Sequence, residues 1–188
     1  MERFDLIAAV QRLQRLWDEQ GIKFCFIGGI AVQHWGEPRM TNDLNATVAG
    51  EFGSERQLAT RLLQGMKARI DDAVEFAKIN RVLLMRDNHG VSIDASLAAM
   101  PYELGVIERS QNEMIRPQIA IRLCSANDLV ILKGFANRPR DWQDIRGILI
   151  RSSGFLDRNF IRNELSVLAE LKEEPEIMDQ LEQLFAQH

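Results

Sequence analysis

The sequence has no long hydrophobic run. Its best apolar stretch, Phe24 to Val32, is broken by Gly28 and Gly29 and falls well short of the roughly 18 residues that suggest a membrane span. Two cysteines in 188 residues are too few for a disulfide framework or a thiolate metal cluster. Cys25 and Cys124 each lie in an apolar segment and read as buried side chains. His34, His89 and His188 are scattered, without the spacing of a metal or triad set, which argues against histidine catalysis. His89 falls in a turn, where a polar residue needs no special role. Repeats and low-complexity tracts are missing, and the opening Met-Glu-Arg-Phe-Asp lacks the basic start and apolar stretch of a secretion signal. A soluble, cytoplasmic chain without a membrane role is the expectation.

What is present suits one domain of ordinary size with a real core: 46% of the residues are hydrophobic and 27% charged. The net charge of −4 argues against a general nucleic-acid coat protein, but it is unevenly spread. Arg109 to Arg162 carries ten basic against five acidic residues, and Asn163 to the end carries seven acidic residues against Lys172 alone. The basic stretch is either a set of solvated helix faces or a surface near a site that handles phosphates.

Apolar positions Phe4, Ile7, Val10, Leu13, Leu16 and Trp17 recur at helical spacing, predicting a helix over 4–19 that Gly21 ends. Strands are expected at 23–27, 43–48, 81–85 and 91–95, the last two joined by the turn Asp87-Asn88-His89-Gly90, with a further pair at 114–115 and 119–123 around Pro117. Helices are expected at 30–35, from Ser54 to about Met66, at 71–77 and from Pro101 to Arg109. Beyond Ser125 the pattern is helical, with one helix over about 127–137, another restarting at Pro139, and more from Asp157 to the end with a break near Pro175. The sum is an α/β (α+β) chain. A small mixed sheet flanked by helices fills residues 1–124, and a helical region covers 125–188.

The chemistry concentrates between residues 27 and 45. Gly28 and Gly29, between a strand and a helix, let backbone approach a ligand closely, and the helix start offers N–H groups to an anion. Downstream, in Arg39-Met40-Thr41-Asn42-Asp43-Leu44-Asn45, positions 43 and 45 emerge on the same face of a strand, where two oxygen ligands can share a hard cation. Asp94, amid Val91, Ile93 and Ala95, is costly to bury without a cation or partner, unless it merely caps the next segment.

The ordered set Gly28-Gly29, Gly36, Arg39-x-Thr41-x-Asp43-x-Asn45, Ile93-Asp94, Leu132-Lys133 and Arg138-Pro139-Arg140-Asp141-Trp142-Gln143-Asp144 resembles the nucleotidyltransferases of the DNA polymerase β-like superfamily. Within it, the set is most similar to the bacterial abortive-infection (AbiEii-type) toxin nucleotidyltransferases, over about residues 23–150. The resemblance implies a nucleotidyltransferase fold and Mg²⁺-dependent transfer of a nucleoside monophosphate from a nucleoside triphosphate to an acceptor hydroxyl. It implies that Gly28 and Gly29 hold the triphosphate and that Asp43, position 45 and Asp94 bind two Mg²⁺. Lys133 is then expected on phosphates, Asp144 in the nucleotide site, and Arg39 and Thr41 at its rim. The implied acceptor is a tRNA or other RNA 3′ end, a protein hydroxyl or a small molecule such as an antibiotic. A toxin–antitoxin role with a cognate antitoxin comes from the resemblance alone. The chemistry is consistent, since nucleotidyl transfer asks a protein mainly for positioning and for neutralising the triphosphate.

One position departs from the pattern: the family has Asp where this chain has Asn45. An amide offers one carbonyl oxygen but no charge, and it cannot bridge two cations. Three explanations stay open: an introduced inactivating substitution, a natural non-catalytic member that binds a nucleotide or partner protein, or a site that works with Asn at reduced rate. The otherwise intact set leans toward the first.

Other residues have milder readings. Trp17, Trp35 and Trp142 read as core or contact residues, with base stacking open to Trp142. Arg138-Pro139-Arg140 is a basic loop for solvent, a triphosphate or an RNA backbone. Asp141 and Asp144, three apart on one helix, can instead pair with those arginines. Leu165, Leu168 and Leu171 form one side of a C-terminal helix suited to a protein contact.

Overall fold

A computed structural model describes residues 6–188, so Phe4, counted above in the first helix, lies outside the described residues. The elements run α1 (Leu6–Glu19), β1 (Phe24–Ile27), α2 (Gly28–Trp35), β2 (Asp43–Ala49), α3 (Glu55–Leu62), β3 (Lys67–Ala68), α4 (Ala73–Asn80), β4 (Val82–Arg86), β5 (Ser92–Ala98), α5 (Pro101–Glu108), β6 (Gln111–Arg116), β7 (Ile119–Leu123), α6 (Ala126–Ala136), α7 (Pro139–Arg151), α8 (Arg158–Lys172) and α9 (Glu176–Gln187). The chain forms two compact units: Met1–Ile30 with Met40–Cys124, and Ala31–Arg39 with Ser125–His188.

The first unit holds a seven-stranded mixed sheet in the order β3-β4-β5-β2-β1-β7-β6. β2 is its pivot, antiparallel to β1 and parallel to β5. One sheet face is apolar because Phe24, Phe26, Leu44, Ala46 and Val48 alternate toward it, and all are fully buried. Trp17 of α1 packs edge-on to Phe24 with ring centroids 4.9 Å apart, and Phe24 meets Phe26 at 5.4 Å. On the opposite face α5 packs over β1 and β2, with Val106 buried there. That cover leaves Asp43, Asn45, Ser92 and Asp94 half-exposed.

The second unit is helical. Leu129, Val130, Ile145, Ile148, Ile161, Leu165, Leu181 and Phe185 are buried in it. The segment 31–39 belongs with these helices because α7 fastens it. Ser152 Oγ donates to the Trp35 carbonyl at 2.6 Å, and Arg151 Nη1 donates to the Gly36 carbonyl at 2.7 Å.

Several elements differ from the sequence reading, each for a local reason. The helix expected to run from Ser54 to Met66 stops at Leu62, short of Gly65, whose φ of +82° is left-handed. Ser54 does not cap it; its hydroxyl closes a turn on the Glu51 carbonyl at 2.8 Å. α4 starts two residues late and runs to Asn80, where Arg81 caps it in the left-handed region at φ +53°. β6 reaches back to Gln111 because it is an edge strand whose polar residues face solvent and carry no apolar alternation. β3 has two exposed residues and no hydrophobic signal. Leu171 is 66% exposed, whereas Leu165 is buried, so the three leucines of α8 do not share one environment. The Ser125 cap is present, its Oγ accepting from Asp128 N at 3.0 Å.

The turn joining β4 to β5 is built on one carboxylate. Asp87 Oδ1 accepts the backbone N–H of His89 and of Val91, both at 2.9 Å, and Oδ2 accepts Arg12 Nη2 of α1 at 2.7 Å. Burial pushes the Asp87 carboxyl up, but the hydrogen bonds from Arg12, Val91 and His89 outweigh it and hold it below the usual carboxylate range. Asp87→Asn keeps one acceptor oxygen but loses the ion pair, and should cost about 1.5–3 kcal/mol in urea unfolding at pH 7. A group depressed in the folded state stabilises above its unfolded value and loses that contribution as pH falls. The gap between wild type and Asp87→Asn should therefore close below about pH 4.

Candidate functional site

β1 ends at Ile27 and the chain turns straight into α2, so Gly28 and Gly29 form the first turn of that helix rather than a loop ahead of it. Both glycines are demanded by what lies against them. Gly28 has φ +63°, and a Cβ there would sit 2.9 Å from Asn45 Cβ. A Cβ on Gly29 would sit 2.4 Å from Thr41 Oγ1 and 2.7 Å from Thr41 Cβ. The helix start is thereby pressed against two of the candidate residues.

The ladders assemble the rest. Asn45 is paired with Ile27 on one side and with Asp94 on the other, and Asp43 is paired with Ser92. Directly paired residues share a sheet face, so Asp43, Asn45 and Asp94 stand together; the spacing predicts this for the first two, and the resemblance adds Asp94. Thr41 Oγ1 donates to Asp43 Oδ1 at 2.9 Å, and Asn45 Nδ2 donates to Asp43 Oδ2 at 3.1 Å. Asp94 Oδ1 accepts Arg69 Nη1 at 2.6 Å. Sequence reasoning missed Arg69. It follows β3, and only the ladder between β3 and β4 brings it beside Asp94; its N–H also bonds the Leu84 carbonyl at 3.0 Å.

This donor set can be tested against the two Mg²⁺ that the resemblance implies. Among the described residues no group of three or more His, Cys, Asp or Glu could hold a metal ion. Two carboxylates and one amide face each other instead. The amide spends its N–H₂ on Asp43, and a guanidinium holds Asp94. A cluster of three carboxylates sharing two cations is therefore not built here, because position 45 is neutral and cannot bridge. What remains of the hard-cation donor type is the two carboxylates of Asp43 and Asp94 and the Asn45 carbonyl.

Arg39, Lys133 and Asp144 belong to the second unit and meet one another there. Arg39 grips Asp144 with two parallel bonds, Nε to Oδ1 at 2.7 Å and Nη2 to Oδ2 at 2.9 Å. Lys133 is 5% exposed and donates to Asp144 Oδ2 at 2.6 Å and to Asp141 Oδ1 at 2.9 Å. Arg138 closes the group on Asp141 Oδ2 at 2.5 Å. Burial pushes the Asp144 carboxyl up, but hydrogen bonds and charge from Arg39 and Lys133 outweigh it and hold it low. Asp141 is held low against its own burial by Arg138 and Lys133. The Arg138 guanidinium is raised, chiefly by its hydrogen bond to Asp141. The Lys133 ammonium, expected on phosphates, is thus occupied by two carboxylates. Trp142 donates its indole N–H to Asn137 Oδ1 at 2.8 Å, which ties its ring to the end of α6.

No protein-family model matches the chain, and no curated protein sequence does. Solved structures do resemble it. The solution structure of the antibiotic-resistance factor ANT(2″)-Ia shares 13% identity over 97% of both chains, with a TM-score of 0.56. ANT(2″)-Ia in complex with adenylyl-2″-tobramycin shares 11% over 88% of this chain and 98% of that one, with a TM-score of 0.54. An antigenic nucleotidyltransferase-like protein from Paracoccidioides brasiliensis shares 15% over 95% and 92%, with a TM-score of 0.52. At such identities the likeness is one of fold, and the chain has the nucleotidyltransferase fold: a mixed sheet flanked by helices.

Removing Lys133 from the buried cluster leaves two carboxylates short of a cation. Lys133→Met should cost about 3–5 kcal/mol in urea unfolding at pH 7. Asp141 and Asp144 are both depressed when folded, so their contribution is complete above the ordinary carboxylate range and lost on acidification. The difference between wild type and Lys133→Met should hold from pH 7 to about pH 5 and shrink below about pH 4.

Proposed function

We propose that this chain is a nucleotidyltransferase, moving a nucleoside monophosphate from a nucleoside triphosphate to an acceptor hydroxyl, with Asn45 holding its turnover low. The observation that carries the reading is the register that sets Asp43, Asn45 and Asp94 on one sheet face, with the Gly28–Gly29 helix start pressed against Asn45 and Thr41. The α2 N-terminus offers backbone N–H groups to the triphosphate, and the missing side chains at 28 and 29 let the phosphates approach. Thr41 orients the Asp43 carboxylate through its hydroxyl. Asp94, directly across from Asn45, is suited to draw the proton from an acceptor hydroxyl brought to that face. A Mg²⁺ held by Asp43, Asp94 and the Asn45 carbonyl would supply neutralisation of the triphosphate. The acceptor class stays with the three named above: an RNA 3′ end, a protein hydroxyl or a small molecule. A cognate antitoxin rests only on the resemblance.

One observation favours a second reading, a non-catalytic module that binds a nucleotide or a partner protein. The amide of Asn45 and the guanidinium of Arg69 supply Asp43 and Asp94 with protein donors, so the acidic face is satisfied without a cation. Asn45→Asp separates the two readings. It places a carboxylate against Asp43 and restores the three-acid set. Incorporation from labelled nucleoside triphosphates in Mg²⁺, with pyrophosphate release, should rise by about 10²-fold or more over the parent. No gain, with nucleotide still bound, would establish the binding module instead.

A further inference from the structure

The register places more on this sheet face than the acidic residues. One row across four strands reads Lys67, Arg86, Ser92, Asp43, since Lys67 pairs with Arg86, Arg86 with Ser92, and Ser92 with Asp43. The next row reads Leu84, Asp94, Asn45, Ile27, and Arg69 joins it through its bonds to the Leu84 carbonyl and to Asp94. Directly paired residues share a face, so Lys67 and Arg86 flank Asp94 on the side away from Gly28. With neighbouring strands about 4.8 Å apart, Arg86 stands about 10 Å along the sheet from Asp43.

Two features of this row call for an anion. Lys67 and Arg86 are like charges directly opposite one another, an arrangement that costs stability. Both residues are exposed, and neither makes an ion pair or side-chain hydrogen bond among the described residues. Arg69 adds a third cation. Asp94 takes one of its guanidinium N–H groups, and the others meet no acceptor among the described residues. Against Asp43 and Asp94, the three cations leave the face net positive, in a chain whose total is −4.

We propose that Lys67, Arg86 and Arg69 form a phosphate-binding strip on the β3–β4 side of Asp94. Arg69, held in place by Asp94, presents its unused N–H groups to the same phosphate that Lys67 and Arg86 neutralise. The proposal deepens the reading above, because it assigns phosphate recognition to the half of the site that the glycine turn does not reach. Two sources supply such a phosphate, the triphosphate of the nucleotide or a phosphate carried by the acceptor.

The test compares the wild type with Lys67→Gln/Arg86→Gln by titration calorimetry at low salt. The probes are ATP with Mg²⁺, inorganic phosphate alone in chelator, and inorganic phosphate added to the ATP-saturated protein. Lys67 and Arg86 have no intramolecular partners to lose and repel each other, so the double variant should melt at or slightly above the wild-type temperature. Lys67→Arg/Arg86→Lys, which keeps both charges, should restore binding. A loss of about tenfold or more in ATP affinity supports the strip and assigns it to the nucleotide. A similar loss for phosphate on the ATP-saturated protein, with ATP affinity kept, supports it and assigns it to the acceptor. Equal binding of every probe by wild type and double variant overturns the strip while leaving the nucleotide reading intact. Conversely, phosphate bound through these residues by a protein that takes no ATP at all upholds the strip and overturns the nucleotide reading.

Discussion

The site rests on the double pairing of β2. Residues of a strand alternate between faces, so one register decides which residues are available for chemistry and which for the core. With Asn45 opposite Ile27 and Asp94, the odd-numbered Asp43 and Asn45 face the helix start, and Leu44, Ala46 and Val48 pack toward Trp17, Phe24 and Phe26. A slip by one residue would bury Asp43 and Asn45 among aromatics and present leucine to a ligand. The tight approach of Gly28 to Asn45 and of Gly29 to Thr41 guards the same register from the end of β1.

Charge is handled differently in the two units. In the second, three cations and two carboxylates are gathered in and around a buried network, where every interaction gains from low dielectric and every loss leaves an uncompensated charge. Its effect is architectural, since Arg39 lies at the end of the segment that α7 fastens. In the first unit the charges stand at a half-open sheet face, partly neutralised by an amide and a guanidinium.

Much of this was legible in the sequence because it depends on period and on residue type. Alternation of apolar side chains gave away β2 and β5, the glycine pair marked the β1–α2 junction, and Ser125 and Pro139 marked helix starts. The shared face of Asp43 and Asn45 followed from their two-residue spacing, and Asp94 joined them only through the family resemblance. What stayed hidden depends on long-range pairing. Arg69 meets Asp94 only because an exposed two-residue strand pairs with β4, and no local pattern announces such a strand. Lys133 looked like an available cation because its burial comes from helices α6 and α7 folding onto each other. A spacing of eight to Asp141 and eleven to Asp144 carries no local signal of that.

The two units also differ in when their parts become available during synthesis. The parallel pairing of β1 with β7 joins Phe26 to Leu123, so the sheet cannot be completed until nearly the whole first unit has emerged. Residues 31–39 wait longer still, because the side chains that fasten them, Arg151 and Ser152, come more than a hundred residues later. The chain therefore cannot fold strictly from its N-terminus forward. It carries the apolar end of α2, with Trp35, uncommitted until α7 exists. Such a topology has high contact order and is slow to close, and it exposes this segment to chaperones and proteases for most of the time the protein is being made.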